Sequence, residues 1–334
     1  MKLLIVFLLA ISFVGAGMVL AQAPGVPVES VQPLLQNEQL LEKAKALRET
    51  GRLLPAVKIT EMLKLPQPCA IQLPVCGNKV LRGREVAEHA RHGYVRVGWY
   101  FLCPKCDHWH LALSGGYAIA KNAVVTCHHC VQNNREMREG YFVAVDFKGN
   151  VLPVTAVLAK SQSMDAAILR VEGGEFTPLP LNESVAPGDP AYCLSDPLEQ
   201  LGYFSTGIVN RFFWRPDRHG APGSIEELKA LRVNVSTDWA PGSSGAAVLD
   251  ECGNVIGHVS AIAPMAETGR AAALTPAEEK PKVPEKSEAP KPQPPRDRFG
   301  GAVLITLHEA VPARSILALV KSMVEAKPAE PPAK

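Results

Sequence analysis

Trp239-Ala240-Pro241-Gly242-Ser243-Ser244-Gly245-Ala246-Ala247-Val248 is the stretch that decides the fold of this chain. A serine sits in a glycine-flanked turn that runs directly into small and apolar residues of strand type. Glycine permits backbone paths that other residues resist, so amide N–H groups can be turned toward one point. Those of Gly242 and Ser244 are positioned to form an oxyanion hole beside the Ser244 hydroxyl. A serine hydroxyl is a weak nucleophile until a base takes its proton. Upstream, Val124-Val125-Thr126-Cys127-His128-His129-Cys130 ends a strand with a histidine at its tip, where a general base must sit. Between the two, Ser163-Met164-Asp165-Ala166-Ala167-Ile168-Leu169 opens an apolar strand with an aspartate that can lie half-buried and orient an imidazole. Each segment alone has a bland reading: a chance Gly-x-Ser-Gly turn, a surface histidine, a buried turn aspartate. Together they give the order His, Asp, Ser at separations of 36 and 79 residues, one of the known arrangements of a catalytic triad.

Outward from these segments the chain reads as short β-type runs. They cover Tyr94–Tyr100, Tyr117–Val125, Tyr141–Phe147, Val154–Leu158 and Ala166–Val171, then Ala191–Leu194, Tyr203–Val209, Leu231–Val235, Ala246–Leu249, Val255–Ile262 and Ala302–Leu307. Gly, Pro, Asn and Asp stand between them, the signature of a sandwich or barrel. A Pro-rich break at Pro178–Pro190 divides two sets of similar size, which predicts an all-β fold of two six-stranded antiparallel barrels. Pro312 opens a C-terminal helix with Ile316, Leu317, Val320 and Met323 on one face.

The flanks have a different texture. Lys2 followed by the apolar run Leu3–Val14 and the small residues Ala21-Gln22-Ala23 reads as a secretory signal over 1–23, with an uncleaved membrane anchor as the alternative. Residues 24–66 form a short helical spacer or appendage, with helical spacing over Leu34–Thr50, ended by Gly51, and a second helix over Ala56–Leu63. A single domain spans 67–326 and contains a disordered insertion at 268–298, rich in Pro, Lys and Glu and too poor in large apolar side chains to offset its ordering entropy. Residues 327–334 form a loose tail. Net charge is +2 over 334 residues, and 20 % of the residues are charged. Nothing in that balance points to nucleic acid or to an anionic membrane surface.

The three segments resemble the trypsin-like serine peptidases of the chymotrypsin fold, most closely the bacterial HtrA/Deg-type and glutamyl-endopeptidase-like branches. Thr126-x-x-His129, Asp165-Ala166-Ala167-Ile168-Leu169, Thr206-Gly207-Ile208-Val209, Pro241-Gly242-Ser243-Ser244-Gly245 and Gly253-Asn254-Val255-Ile256-Gly257 carry the resemblance, which covers Tyr94 to Val324. It implies an endopeptidase that hydrolyses protein or peptide substrates through an acyl-enzyme. His129 is then the base, with His128 its nearest competitor, Asp165 the orienter and Ser244 the nucleophile. Ser260 is implied as the polar residue on the strand that pairs with the substrate backbone. Asp238, six residues before Ser244, matches the pocket-floor aspartate of trypsin itself and implies basic P1 residues; the bland reading is a surface turn aspartate. The departures are informative. Ser243 stands where many relatives have aspartate, so activation by pairing a new N-terminal amine with that residue is not expected. Ala246-Ala247 replaces Gly-Pro or Ser-Pro, and no PDZ module is expected after the final helix. With the leader, the resemblance implies a secreted or periplasmic location, with no membrane partner unless the leader is retained.

Eight cysteines behind such a leader fit disulfides, with 105 full pairings open. Cys103-x2-Cys106 and Cys127-x2-Cys130 also have the spacing of zinc knuckles, joined by His108 or His110, so a structural zinc ribbon is the competing reading; no other cofactor is expected. Two alternatives to the peptidase remain open at this level: a catalytically silent peptidase-fold binding protein, and a zinc- or disulfide-stabilised interaction module.

Overall fold

A computed structural model of the protein describes residues 33–65, 71–133, 135–215, 231–266 and 303–325. The expected leader, the insertion at 268–298 and the tail at 327–334 lie outside these residues, as does Cys69. Among the described residues no helix is long and apolar enough to cross a membrane.

The first half is a seven-stranded antiparallel sheet: β1 (Arg96–Leu102), β2 (Trp109–Ser114), β3 (Tyr117–Ala120), β4 (Ala123–Thr126), β5 (Glu139–Val145), β6 (Val151–Ser161) and β7 (Ala166–Val171). Its spatial order is β2-β1-β5-β6-β7-β4-β3. β6 bends between the two ends of this sheet at register shifts near Val154 and Val157, as bulges allow. Where six strands were expected, β2 is the extra one. It pairs along the outer side of β1 from Val97↔Ser114 to Leu102↔Trp109, and the two ends of the sheet meet only through the bridge Tyr94↔Tyr117 and the bond from Val95 N to Gly116 O.

The second half is a closed six-stranded barrel. It consists of β8 (Pro190–Ser195), β9 (Tyr203–Trp214), β10 (Leu231–Val235), β11 (Ala247–Leu249), β12 (Val255–Ala266) and β13 (Val303–Pro312), in the order β10-β13-β12-β11-β8-β9. The strand-rich, two-part all-β architecture is thus the one the sequence leads one to expect.

One apolar cluster spans both halves. Tyr117, Ile119, Val125 and Ile168 of the sheet share it with Val233, Val248, Val259 and Ala310 of the barrel, all at or near zero exposure. At this level of burial each large apolar side chain contributes roughly 1.5–3 kcal/mol. The contact has no slack at one place: a Cβ on Gly115 would lie 2.7 Å from the Ala246 nitrogen and 2.8 Å from its Cβ. Gly115 therefore has no room for a side chain against Ala246.

Helices cover the outside. α1 (Pro33–Glu49) lays Leu40 and Ala44 on Tyr100, Val143 and Val145, and α2 (Ala56–Lys64) buries Ile59. α3 (Gly83–Gly93), absent from the sequence reading, is held by the reciprocal bonds of Arg82 and Glu85 and buries Val86, Ala90 and Gly93. The C-terminal helix α5 (Ala313–Glu325) closes the fold with Ile316 and Val320 inward.

Candidate active site

β4 ends at Thr126, whose hydroxyl donates to Gly115 O at 2.7 Å. The chain then turns into a one-turn helix, α4 (His128–Val131), with Cys127 at its start. This places His129 over the turn that precedes β7. Asp165 sits there in the left-handed region at φ 58°, a conformation that aspartate tolerates better than most residues.

Four donors converge on Asp165. His129 Nδ1 lies 3.0 and 2.9 Å from its two carboxylate oxygens, and the His129 backbone N–H donates to Oδ1 at 3.1 Å. The Ser260 hydroxyl, from β12 of the barrel, donates to Oδ2 at 2.7 Å. His258, two residues earlier on β12, is fully buried and donates Nε2–H to the Asp165 carbonyl at 3.1 Å. A carbonyl can only accept, so this bond sets the His258 tautomer. Arg232 of β10 donates to Ser163 O at 3.0 Å, tying the same turn to the barrel.

The electrostatics follow from this geometry. Burial would raise the Asp165 carboxyl, but the bonds from His129 and Ser260 and the imidazole charge hold it well below the usual carboxylate range. Burial would lower His129, but Asp165 and the neighbouring Cys130 sulfur outweigh it and push the imidazole up to about 10. Cys130 is drawn down to about 5 by its hydrogen bond with Cys127 and, against burial, by His129. His258 is pushed down to about 4, chiefly by burial. His128, the competing histidine, is buried, is lowered by desolvation, and makes no hydrogen bond to Asp165.

The Ser244 turn comes from the barrel side. Gly242 and Gly245 have φ of 104° and 86°, and a Cβ on them would meet Asp196 O at 2.6 Å and Gly115 O at 2.4 Å. Within the turn, Ser243 N donates to Ala240 O and Ala246 N to Ser243 O. The amides of Gly242 and Ser244 have no hydrogen-bond acceptor among the described residues. The Ser244 hydroxyl likewise makes no hydrogen bond to His129, and the Ser244 carbonyl faces Cys130 Sγ at 3.9 Å. Ser243 is buried, its hydroxyl unpartnered, and it brings no charge to the turn.

Two cavities flank this line. One of about 630 Å³ is bordered by Ser114, Asp196, Leu198, Pro241 and Gly242, and one of about 300 Å³ by Gly98, Ser114, His129 and Cys130. β2 supplies Ala112 and Ser114 to both. Asp238 lines neither: its side chain is exposed, while its backbone N–H and C=O bond Ser205 Oγ at 3.1 Å each. Beside it Trp239 is buried, its N–H on Ala261 O at 3.2 Å and its ring edge-on to His308 at 4.9 Å.

Seven described cysteines are free thiols; the expected disulfides are not formed among them. The four-cysteine ribbon is not formed either. Cys103 and Cys106 gather with His110, and Cys127 and Cys130 with His129, in separate clusters. The pairs follow the ends of β1 and β4, which are not paired with each other in the sheet. His258, Arg232 and Ser114 carry no motif and escaped the sequence reading; only the fold brings them to the site.

A search of the curated proteins finds no match. Among solved structures, the HtrA-type protease AlgW with a tripeptide matches with a TM-score of 0.47 and 14 % identity, over 74 % of this chain and 64 % of that one. The chain therefore spans just under two thirds of that structure's length. Residues 114–257 match the model of the trypsin-like peptidase domain. That span, which holds His129, Asp165 and Ser244, is similar to the trypsin-like peptidase domain.

Proposed function

We propose that this domain is an active serine endopeptidase, exported by its leader, that cleaves protein or peptide substrates through an acyl-enzyme on Ser244. The observation that carries the reading is the Asp165 carboxylate, which accepts from His129 on the sheet and from Ser260 on the barrel while two unpartnered amides stand at Ser244. In this reading His129 Nε2 takes the Ser244 proton as the hydroxyl attacks the scissile carbonyl, and returns it to the leaving amine. Asp165 holds the imidazole in the tautomer that leaves Nε2 free and stabilises the imidazolium. The amides of Gly242 and Ser244 receive the oxyanion; each such donor is worth roughly 3–4 kcal/mol in the transition state. The fold places His129 and Ser244 on opposite sides of the seam, and catalytic hydrogen bonds commonly tighten only when substrate binds.

The free Ser244 hydroxyl favours one second reading, a peptidase fold that binds without turnover. Labelling with a fluorophosphonate separates the two, because the probe captures only a serine activated by a placed base. The expected result is labelling of the wild type that disappears in Ser244→Ala. Mature, folded protein that takes no label overturns the enzymatic reading. Fractionation of the source cells tests the export: the chain is expected outside the cytoplasm.

A further inference from the structure

The β1–β2 hairpin ends in Cys103-Pro104-Lys105-Cys106-Asp107-His108-Trp109-His110, a segment that the peptidase chemistry does not use. The strand register, with Phe101 opposite His110 and Leu102 opposite Trp109, returns His110 over the turn. The turn is tightly built. Cys103 N donates to His108 O at 3.0 Å, and Asp107 N donates to Cys103 O at 3.1 Å. Asp107 takes φ 59°, the left-handed step that sends the chain back. Its carboxylate is held by Arg138, and Lys105 pairs with Glu136. Inside the turn, Lys105 N–H points at Cys103 Sγ at 3.4 Å. Cys106 Sγ lies 3.0 Å from His110 Nε2, and the three donor atoms stand within 4.8 Å of one another.

We propose that this hairpin tip is a zinc site, with Cys103, Cys106 and His110 as ligands and a water molecule in the fourth position. Two thiolates and an imidazole are the donor set that zinc takes in tetrahedral geometry. With Zn–S near 2.3 Å and Zn–N near 2.0–2.1 Å, a tetrahedral S···N separation is about 3.6 Å, so the Cys106–His110 pair has to open by only about half an ångström. Binding forms two Zn–S bonds and one Zn–N bond, and the two thiol protons pass to solvent. The ion would tie His110 at the start of β2 to the end of β1. β2 is the strand that walls both cavities beside His129 and Gly242, so the metal would hold that wall in place.

The test is elemental analysis of the full chain, purified with thiols reduced and equilibrated with zinc, then passed over a desalting column. About one zinc per chain is expected for the wild type, with loss in Cys106→Ser and at least tenfold weaker binding in His110→Ala. Cobalt substitution gives a second readout: a sulfur-to-metal charge-transfer absorption that disappears in Cys106→Ser and persists in Cys130→Ser. His110 is exposed, so its variant keeps the test decisive if Cys106→Ser fails to fold. Absence of zinc from the reduced wild type overturns the proposal. So does zinc that survives Cys106→Ser but is lost in Cys130→Ser, which would assign the ion to the cluster at His129. A native Cys103–Cys106 disulfide that zinc does not compete with also overturns it. None of these outcomes depends on whether Ser244 is catalytic.

Discussion

Cys130 stands next to the proposed base in sequence and in space, and replacing it with serine has a calculable effect. In the resting site His129 is held up to about 10 by Asp165 and Cys130, which leaves about one imidazole in a thousand neutral at pH 7. Cys130 is drawn below its ordinary range toward thiolate by Cys127 and His129. Its sulfur is within 4.8 Å of a ring nitrogen of His129. At that separation Coulomb's law gives about 3.5 kcal/mol at an effective dielectric of 20 and about 0.9 kcal/mol in water. The His129 side chain is 46 % exposed, so solvent screening puts the value near the lower end, about 1.4 kcal/mol or one pH unit. Cys130→Ser removes the negative charge, lowers the His129 pKa and moves the ascending limb of the pH–rate profile down by about one unit. Second-order labelling by a fluorophosphonate from pH 6 to 10 reads this without a known substrate. At pH 7 the rate is expected to rise about tenfold. A limb that stays within 0.3 units of the wild type, or a lower rate at pH 7, refutes the coupling of Cys130 to His129.

Four further expectations follow from the same geometry. Asp165→Asn keeps the turn but loses the acceptor that fixes the His129 tautomer, so kcat should fall by about 10⁴-fold with little change in the unfolding midpoint. Gly98→Ala places a Cβ 1.9 Å from Ala112 O, pushing β2 off β1; a loss of about 1–3 kcal/mol in urea unfolding is expected. His258, neutral when folded and pushed down to about 4, takes up a proton on unfolding below its ordinary 6.5, so stability falls as the pH drops from 6.5 toward 4. This group alone accounts for about 2.5 kcal/mol at pH 4.5, a loss that His258→Asn should lack in parallel urea titrations. Asp238→Asn should alter the preference between Arg and Leu at P1 by less than about threefold, because the exposed carboxylate lines neither cavity; a collapse of cleavage after Arg would restore it as the pocket floor.

Strands that carry their own pattern were legible in the sequence to the residue: Ala166–Val171 and Leu231–Val235 are β7 and β10 as observed. The His, Asp and Ser segments stood out in the sequence by their local pattern; the fold sets His129 on Asp165 and the Ser244 carbonyl beside Cys130. β2 was missed because Trp109-His110-Leu111-Ala112-Leu113-Ser114 follows a Cys/His run that draws the eye to metal chemistry, although its Trp and Leu residues alternate with smaller or polar ones. α3 was missed because only Val86, Ala90 and Gly93 face inward, too few apolar positions to mark a helix, and its N-cap is Arg82 rather than Ser, Thr, Asp or Asn. His258 lies in an ordinary strand pattern, and only the crossing of β12 over the Asp165 turn gives it a role. That the four knuckle cysteines form two clusters depends on the spatial order of strands, which spacing along the chain does not encode.

The distribution of the site between the two halves also has a consequence in time. A chain synthesised or translocated from its N-terminus presents His129 and Asp165 before any nucleophile exists, and at that stage Asp165 still lacks the Ser260 and His258 donors of β12. β10 and β12 then find a partner in β13, which follows the insertion. The barrel cannot shut until β13 has emerged. In the proposed reading, Ser244 meets an assembled base only once β13 has paired with β10 and β12, so a chain cut before Val303 is expected to take no fluorophosphonate label.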